Sequence, residues 1–339
     1  MDNRRCCLLL SSGNAYDITL QIIQLLRKPA LQCNKRIHMI KKIISILRTR
    51  GISGLLSAVY FRLSHLLPIH AKSFHKIESL LHGKNGIEIG GPSQVFTAKG
   101  LFPVYPIAGH FDNCNFGGTT IWEGDINEGQ TFQFDRNKPA GRQYIVEATA
   151  MECITSASYD FVLSSHALEH TANPILALSE WIRLLKDQGT LVLLLPHKDG
   201  TFDHRRPVTT LQHLISDFEV GMAEDDLTHM PEILALHDLG RDPEAGDLAA
   251  FKARSERNFE NRCFHHHVFD TQLTVRLVDH MGLQIRAVEA IRPMHILVVA
   301  QKVGRGELVD NSAFTGESAQ YRQSSPFLSD PLSVAGSNA

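Results

Sequence analysis

The chain has 339 residues, of which 43% are hydrophobic, enough for one domain with additions or for two small domains. Its six cysteines contain no CxxC pair, so we predict neither a disulfide framework nor a zinc site, and a reducing cytoplasm is the expected compartment. The apolar run at residues 6–10 is too short for a secretory leader, and no run approaches the ~18 residues of a membrane-spanning helix. We therefore expect a cytoplasmic protein that does not cross a membrane.

Charge is divided unevenly along the chain. Residues 1–84 hold 14 Lys and Arg against three acids, a net charge of +11, and the remaining residues carry −13. Apolar residues at helical spacing within residues 16–82 predict two or three basic amphipathic helices. We expect residues 1–82 to form a helical arm, which either packs on the main domain or docks on a membrane surface or a partner.

From residue 86 onward, short apolar runs alternate with helical stretches, which is typical of a parallel sheet with crossover helices. A helix over residues 173–186 is indicated by Pro174 in its first turn and Gly189 just beyond its end. A second long helix begins at Asp270 or Thr271. The predicted strands are residues 86–89, 104–111, 143–146, 159–164, 190–195, 283–291 and 295–301.

Two segments depart from this alternation. A long polar insertion, rich in His and acids, covers residues 197–265 and contains helices near 211–218 and 247–261. After residue 302, Gly, Ser and Asn dominate and no apolar period remains, which predicts a disordered tail over residues 303–339. The central domain is therefore expected to cover residues 83–302.

Polar residues and glycines follow the predicted strands at the edge where open α/β sheets bind nucleotides. Gly90 and Gly91 come directly after the first strand, where a glycine lets a ligand approach the backbone. Asp112 lies 22 residues after Gly90, where an acid can accept the ribose hydroxyls of a nucleoside. Further polar positions at this edge are residues 147–151 and 164–166.

Residues 159–170 read YDFVLSSHALEH, and they are followed by Pro174 and by WIRLLKDQGTL at residues 181–191. Together these segments resemble the signature between the fourth and fifth strands of class I S-adenosylmethionine-dependent methyltransferases of the type 11 family. The resemblance covers about residues 83–302. It implies an enzyme with a Rossmann-like, doubly wound α/β fold, whose mostly parallel seven-stranded sheet ends in an antiparallel strand, here preceded by N-terminal helices. It also implies S-adenosylmethionine as the cofactor, and we assign no metal.

The resemblance implies ten cofactor-binding positions, all near the carboxyl ends of predicted strands. The family usually has another glycine where Pro92 stands, and an acid where Ala148 or Ala150 stands. Pro92 is compatible with the first position of a helix. The ten positions are Glu88, Gly90 and Gly91 for the methionine end, Asp112 for the ribose, Thr149, Ala150 and Met151 for the adenine, and Ser164, Ser165 and His166 for the inner face of the cofactor.

Two other motifs compete with this interpretation. His166, Glu169 and His170 spell the inverted zinc-peptidase motif, but that motif needs a continuous helix and here an apolar strand runs directly into it. A nicotinamide dehydrogenase would need Gly-x-Gly-x-x-Gly, and residues 90–95 supply only the first glycine in register. The methyltransferase interpretation is therefore favoured, with a divalent ion near His166 as a minor alternative.

A sulfonium donor already carries a good leaving group, so the enzyme must align an acceptor and, for a hydroxyl acceptor, remove its proton. A neutral imidazole suits that proton transfer near pH 7. His197 and His204 follow the fifth strand, and His266 precedes the last long helix. We predict that His266 is the general base and that His197 and His204 position the substrate.

The polar loops favour O-methylation of a sugar, a polysaccharide precursor or another small hydroxylated acceptor. The basic residues within 16–82 would hold the enzyme at the periphery of a membrane, near a glycan-assembly partner. Nucleic acid is disfavoured because the catalytic part, at −13, repels phosphates. The alternative is a non-catalytic scaffold with the same fold, recruited to a membrane surface or a biosynthetic complex; the unusual Pro92 is its support.

Overall fold

The structure is a computed structural model, and it describes residues 70–304 and 306–332. The chain divides into units Met1–Leu67 and Pro68–Ala339, so all described residues belong to the second unit. Most of the predicted basic arm, residues 1–69 of 1–82, lies outside the described residues. Within residues 70–304 and 306–332, no helix is both long and apolar enough to cross a membrane.

Eight of the ten described strands form one sheet, and β3 and β4 form a separate short hairpin. The strands are β1 Asn85–Ile89, β2 His110–Asn115, β3 Thr119–Thr120, β4 Gly124–Asp125, β5 Gly129–Phe132, β6 Gly141–Ile145, β7 Tyr159–Ser165, β8 Leu185–Pro196, β9 Leu283–Ile291 and β10 His295–Lys302.

The sheet order is β5-β6-β2-β1-β7-β8-β10-β9. Strands β6, β2, β1, β7 and β8 are mutually parallel, whereas β10 is antiparallel to both β8 and β9. This confirms the Rossmann-like, mostly parallel sheet with an antiparallel last strand. The eighth strand, β5, was not predicted. It is short, polar and largely exposed at the sheet edge, antiparallel to β6, so it lacks the apolar run that identifies a buried strand.

The second strand lies further along the chain than predicted. Residues 104–111 were expected to form it, but β2 begins at His110, and Val104, Tyr105 and Ala108 are buried in turns. Their apolar character reflects burial against Phe111 and its neighbours rather than an extended conformation. Asp112 consequently lies in the middle of β2, opposite Ile87, and not at the end of the strand.

The predicted start at Asp270 and the helix that begins with Pro174 are confirmed, but that second helix ends at Leu184 and Gly189 lies within β8. Asn173 accepts a hydrogen bond from the backbone N–H of Leu176 at 3.0 Å, and Asp270 accepts one from that of Leu273 at 2.7 Å. The helices are α1 Phe74–Leu81, α2 Pro174–Leu184, α3 Leu211–Glu219, α4 Met230–Leu236, α5 Leu248–Ser255, α6 Asn258–Asn261, α7 Thr271–His280, α8 Ser312–Thr315, α9 Gln320–Ser324 and α10 Ser329–Leu332.

Hydrophobic side chains fill both faces of the sheet. On one face α2 and α7 bury Trp181 and Leu277, and on the other face α1 buries Phe74 and Leu81 beside Phe161. Helix α1 therefore belongs to the core of the domain, although residues 74–81 were predicted to be part of the arm. Its apolar spacing is the same in an arm and in a core helix, so the sequence pattern could not separate the two.

The expected disorder of residues 303–339 is wrong for residues 306–332. This segment contains α8, α9 and α10, and it buries Tyr321 and Phe327. Asp330 accepts a hydrogen bond from Thr271 Oγ1 at 2.7 Å and lies 3.1 Å from His197 Nε2. A few anchoring side chains order this segment, and they are too sparse to produce a helical period in the sequence.

Candidate functional site

A cavity of about 670 Å³ opens at the carboxyl ends of the parallel strands. This position and this size are typical of a small-molecule or nucleotide site in an open α/β sheet. The residues that line it lie at or just beyond the ends of four strands: Ile89 and Gly90 at β1, Cys114, Asn115 and Phe116 at β2, Glu147 and Ala148 at β6, and Ser165, His166 and Ala167 at β7.

Gly90 lines the cavity as predicted and has a left-handed backbone, with φ +84°. A Cβ atom at this position would lie 3.0 Å from the Cβ of Ala167, so a side chain would be both strained and crowded. Gly91 lines an adjoining cavity of about 220 Å³ instead, and its N–H donates to Asn113 Oδ1 at 3.0 Å. The turn thus presents backbone at the cavity, which fits a cofactor that approaches the main chain closely.

Glu88 does not line the cavity. Its carboxylate is fully buried below the turn and accepts a hydrogen bond from the hydroxyl of Tyr105. Burial raises the pKa of Glu88 to about 7. A Cβ on Gly91 would lie 2.3 Å from Glu88 Cδ, so this carboxylate packs directly beneath the turn. Glu88 therefore supports the turn that was predicted to bind the methionine end.

The structure does not bring Asp112 to the cavity. Its carboxylate accepts hydrogen bonds from the Arg142 N–H and from the Tyr159 hydroxyl, both at 2.7 Å, and lies 2.8 Å from His110 Nε2. The ribose role predicted for Asp112 therefore does not fit its position in mid-strand. Glu123 is a carboxylate residue that lines both the main and the adjoining cavity.

The predicted adenine contacts are also displaced. Thr149, Ala150 and Met151 are not among the residues that line the cavity; Met151 is fully buried, and its N–H donates to Glu180 Oε2 at 2.9 Å. Glu147 and Ala148, which come just before them, line the cavity in their place. The wall at β6 therefore includes a carboxylate, which the predicted contacts lacked.

At the end of β7 the structure separates the three predicted residues. Ser164 is fully buried, whereas Ser165 and His166 line the cavity. His166 has a positive φ of +53°, an unfavourable conformation for a residue other than glycine and one that is enriched at functional sites. Its Nε2 atom lies 3.0 Å from His295 Nδ1. Burial lowers its pKa well below the usual value, so the imidazole is neutral at pH 7.

Glu169, His170 and His265 form a carboxylate–imidazole cluster on another wall of the cavity. Glu169 is only 1% exposed, and neither of its carboxylate oxygens has a hydrogen-bond partner among the described residues. Burial raises its pKa to about 7. His170 Nε2 lies 3.8 Å from Glu169 Oε1, and His265 Nε2 lies 3.9 Å from the same oxygen. The cluster offers atoms that could bind a polar group of a substrate or a cation.

His265 is held by a buried carboxylate. Its Nδ1 atom lies 2.5 Å from Asp203 Oδ2, and Asp203 also pairs with the buried Arg206 at 2.9 Å. Burial alone would lower the pKa of His265, but the Asp203 carboxylate outweighs burial and the pKa is raised. For Asp203 the effects are opposite: burial would raise its pKa, but His265 and Arg206 lower the pKa to about 2. The contact with Asp203 fixes Nδ1 as the protonated nitrogen of His265, and the Nε2 atom faces Glu169.

None of the three predicted catalytic histidines lines the cavity. His266 is 1% exposed, its Nε2 lies 3.2 Å from Asn258 Nδ2, and burial lowers its pKa to about 3. His197 is buried against Phe327 in the C-terminal segment, and His204 lies 3.0 Å from a carboxylate oxygen of Asp238. Within the predicted segment at residues 265–267, His265 lines the cavity and His266 does not, because adjacent side chains point in different directions.

Two features of the cavity wall were not anticipated. Arg262 joins the insertion to the sheet, because its guanidinium lies 2.6 Å from Glu147 and also bonds to Glu224. At the mouth, the β3–β4 hairpin presents Ile121 and Trp122, both more than half exposed, and the Trp122 ring lies 5.2 Å from that of His170. The sequence signal that could have indicated this hairpin is a Trp in a polar stretch. The ion pairs of Arg262 join residues that are distant in the chain, so no sequence pattern indicates them.

Part of this chain is similar to known proteins. Residues 110–193 match the methyltransferase domain family. A comparison with curated protein sequences found no match. Among solved structures, an S-adenosylmethionine-dependent methyltransferase from Aquifex aeolicus shares 10% identity over 68% of this chain and 89% of that one, with a TM-score of 0.35. The trans-methyltransferase CalH in complex with SAH shares 11% identity over 77% of this chain and 62% of that one, with a TM-score of 0.39.

The sheet order, the cavity at the strand ends and the matched residues define the class of this domain. It is a class I S-adenosylmethionine-dependent methyltransferase domain. The protein is accordingly an enzyme, a methyltransferase with S-adenosylmethionine as its cofactor.

Proposed function

We propose that this enzyme methylates a hydroxyl of a small polar acceptor, such as a sugar or a polysaccharide precursor, with His265 as the general base. One observation carries the proposal. His265 lines the cavity, and Asp203 holds its Nδ1 at 2.5 Å, which leaves Nε2 to accept a proton. A carboxylate that fixes the tautomer of a histidine is a recurrent arrangement for a catalytic base.

The cofactor would lie along the strand ends. Gly90, Ser165 and His166 are assigned to its methionine end, because the backbone of the turn and polar groups meet there. Glu147 and Ala148 are assigned to the adenine, at the end of β6. Glu123 replaces Asp112 as the acceptor of hydrogen bonds from the ribose hydroxyls. When bound, S-adenosylmethionine supplies a methyl group on a positively charged sulfur.

The residues of this chain then have two tasks. The carboxylate–imidazole cluster holds the acceptor in the cavity, and His265 Nε2 takes the proton of its hydroxyl as the oxygen–methyl bond forms. The cofactor held by Gly90, Ser165 and His166 would supply the methyl group and would keep the electron pair of the methyl–sulfur bond. Asp203 stabilises the imidazolium that results, because its low pKa keeps it ionised at neutral pH.

The acceptor chemistry follows from the composition of the cavity mouth. Trp122 offers an exposed aromatic ring within 5.2 Å of the His170 ring, so an apolar face and a polar edge lie side by side. A pyranose ring has both an apolar face and hydroxyl edges, and it matches this surface. The carboxylates of Glu169 and Glu244 would accept hydrogen bonds from further hydroxyls.

The basic segment within residues 16–82 supports a location at the periphery of a membrane near glycan assembly. Its positive charge would be attracted to anionic lipids at about 1 kcal/mol per basic residue near the surface. Vesicle flotation of the full chain measures this attraction. We expect binding to anionic vesicles that weakens as salt rises, and absence of binding at low salt would contradict this location.

The test of the proposed function is a methyl-transfer screen with labelled S-adenosylmethionine. The acceptors are nucleotide sugars, oligosaccharides and, as competitors, phenols and amines. We expect a labelled methyl ether on a sugar and S-adenosylhomocysteine in equal amount. The alternative, a non-catalytic scaffold, predicts cofactor binding by calorimetry without turnover on any acceptor.

A further inference from the structure

A second cluster of metal-ligating side chains lies outside the cavity, in the insertion. His213 and Asp217 lie one turn apart on α3, His229 precedes α4, and His267 follows the His265–His266 pair. None of the four lines the cavity, and none has a role in the proposed methyl transfer. Three separate segments of the chain therefore bring three imidazoles and one carboxylate together.

Three distances within this cluster are close to those between the ligands of a tetrahedral ion. His213 Nε2 lies 3.2 Å from His229 Nε2 and 3.3 Å from Asp217 Oδ2, and His267 Nε2 lies 3.6 Å from the same oxygen. Zinc binds imidazole nitrogen and carboxylate oxygen at about 2.0–2.2 Å, which separates tetrahedral ligands by about 3.3–3.6 Å. One ligand atom from each residue lies within 4.8 Å of all the others.

Asp217 is an unsatisfied buried acceptor. It is 4% exposed, and its Oδ2 atom has no hydrogen-bond donor among the described residues, although His213 and His267 face it. A buried carboxylate oxygen without a donor is costly, and a cation between it and the imidazoles would remove that cost.

The geometry points to a structural Zn²⁺ site formed by His213, Asp217, His229 and His267. Three imidazoles and one carboxylate suit zinc, and four protein ligands fill a tetrahedron without an open position for substrate. The site goes beyond the proposed function, since it needs neither the cofactor nor an acceptor.

Such an ion would support one wall of the cavity. Residues 218–228 connect Asp217 to His229, and within them Glu224 bonds to Arg262 and accepts a hydrogen bond from the Ala172 N–H. His267 lies two residues after His265. Loss of the ion should therefore loosen both Glu224 and the segment that carries His265.

The experiment is metal analysis of the full chain, purified without chelator, followed by zinc titration of the protein after chelation. We expect about one zinc per chain, a higher midpoint of thermal unfolding with zinc than without, and visible absorption bands of tetrahedral cobalt after Co²⁺ substitution. Asp217→Asn and His229→Ala should weaken zinc binding by more than the ~10- to 100-fold that loss of an outer partner costs.

Two variants serve as matched controls. His280→Ala removes an exposed histidine at the end of α7 and should keep the zinc. His265→Ala removes a histidine of the carboxylate–imidazole cluster, which also has metal-binding atoms, and should keep it as well. Absence of zinc binding by the wild-type chain would overturn the proposal, and so would zinc that is kept by Asp217→Asn and lost by His265→Ala. Absence of zinc binding would not bear on methyl transfer, whereas zinc held by His265 would occupy the proposed general base. The acceptor screen, run without added zinc, tests the proposed function separately.

Discussion

The His265 Nδ1 atom lies 2.5 Å from Asp203 Oδ2, although the two residues are 62 positions apart in the chain. Asp203 belongs to the loop after β8, and His265 to the last residues of the insertion. Their contact brings both ends of the insertion together at the cavity, with the buried Arg206 completing the ion pair. The adjacent residue His266 does not line the cavity and is buried in the protein interior.

The two carboxylates considered for the ribose give opposite predictions. Glu123→Gln should weaken cofactor binding by about 1.5–3 kcal/mol, the usual range for lost hydrogen bonds to a charged group, and should leave stability unchanged. Asp112→Asn should instead lower the free energy of unfolding, because Asp112 holds β2, Arg142 and Tyr159 together. Calorimetry with S-adenosylmethionine and urea unfolding of both variants measure the two effects. Loss of cofactor affinity in a stable Asp112→Asn protein would restore the original assignment.

Glu88 should make the protein less stable as pH rises. Its pKa is raised from 4.5 to about 7 by burial, so its contribution is fully present below pH ~4.5 and is lost as pH rises through 7. The loss is on the order of 3 kcal/mol. Glu88→Gln removes the ionisation and keeps an acceptor for the Tyr105 hydroxyl. The unfolding free energy of the wild type minus that of the variant should therefore decrease as pH rises from 4.5 to 8. A difference that does not change with pH would contradict a buried, neutral Glu88.

Helix α1 should contribute to stability as a core element. Leu81 is 0% exposed and packs on the sheet, so Leu81→Ala should cost about 2–5 kcal/mol of unfolding free energy. Leu308→Ala is the matched control, because Leu308 is 95% exposed, and it should change stability by less than about 0.5 kcal/mol. Chemical denaturation of both variants measures the difference. Equal effects would place residues 74–81 outside the core.

The elements that sequence analysis predicted well have strong local signals. Helix α7 begins at the Asp270 cap and ends just before Gly282, and α2 begins at Pro174, so capping chemistry marks both limits of α7 and the start of α2. The strand β2 was misplaced because Val104 and Ala108 are apolar for burial in a turn, which leaves the same pattern as a strand. Local patterns cannot separate these two reasons for apolar character.

The site was harder to predict than the fold. The resemblance located the edge of the sheet correctly, and Gly90, Ser165 and His166 line the cavity. The choice between His265 and His266 depends on Asp203 and Asn258, which contact them through the tertiary structure. Such contacts join residues distant in the chain, and no spacing rule in the sequence reports them.

The role of His265 is tested most directly by the pH dependence of kcat/KM on the acceptor found in the screen. Since the base must be deprotonated and its pKa is raised, activity should rise with pH through a limb above pH ~6.5. Asp203→Asn should move this limb to lower pH, because the Asp203 carboxylate raises the pKa of His265. The Glu169→Gln enzyme should still show a rise of activity with pH. His265→Ala should lower kcat/KM by ~10²- to 10⁴-fold with cofactor affinity unchanged, whereas His204→Ala should stay within a few-fold of the wild type. Turnover within a few-fold of the wild type in a folded His265→Ala protein would contradict the account.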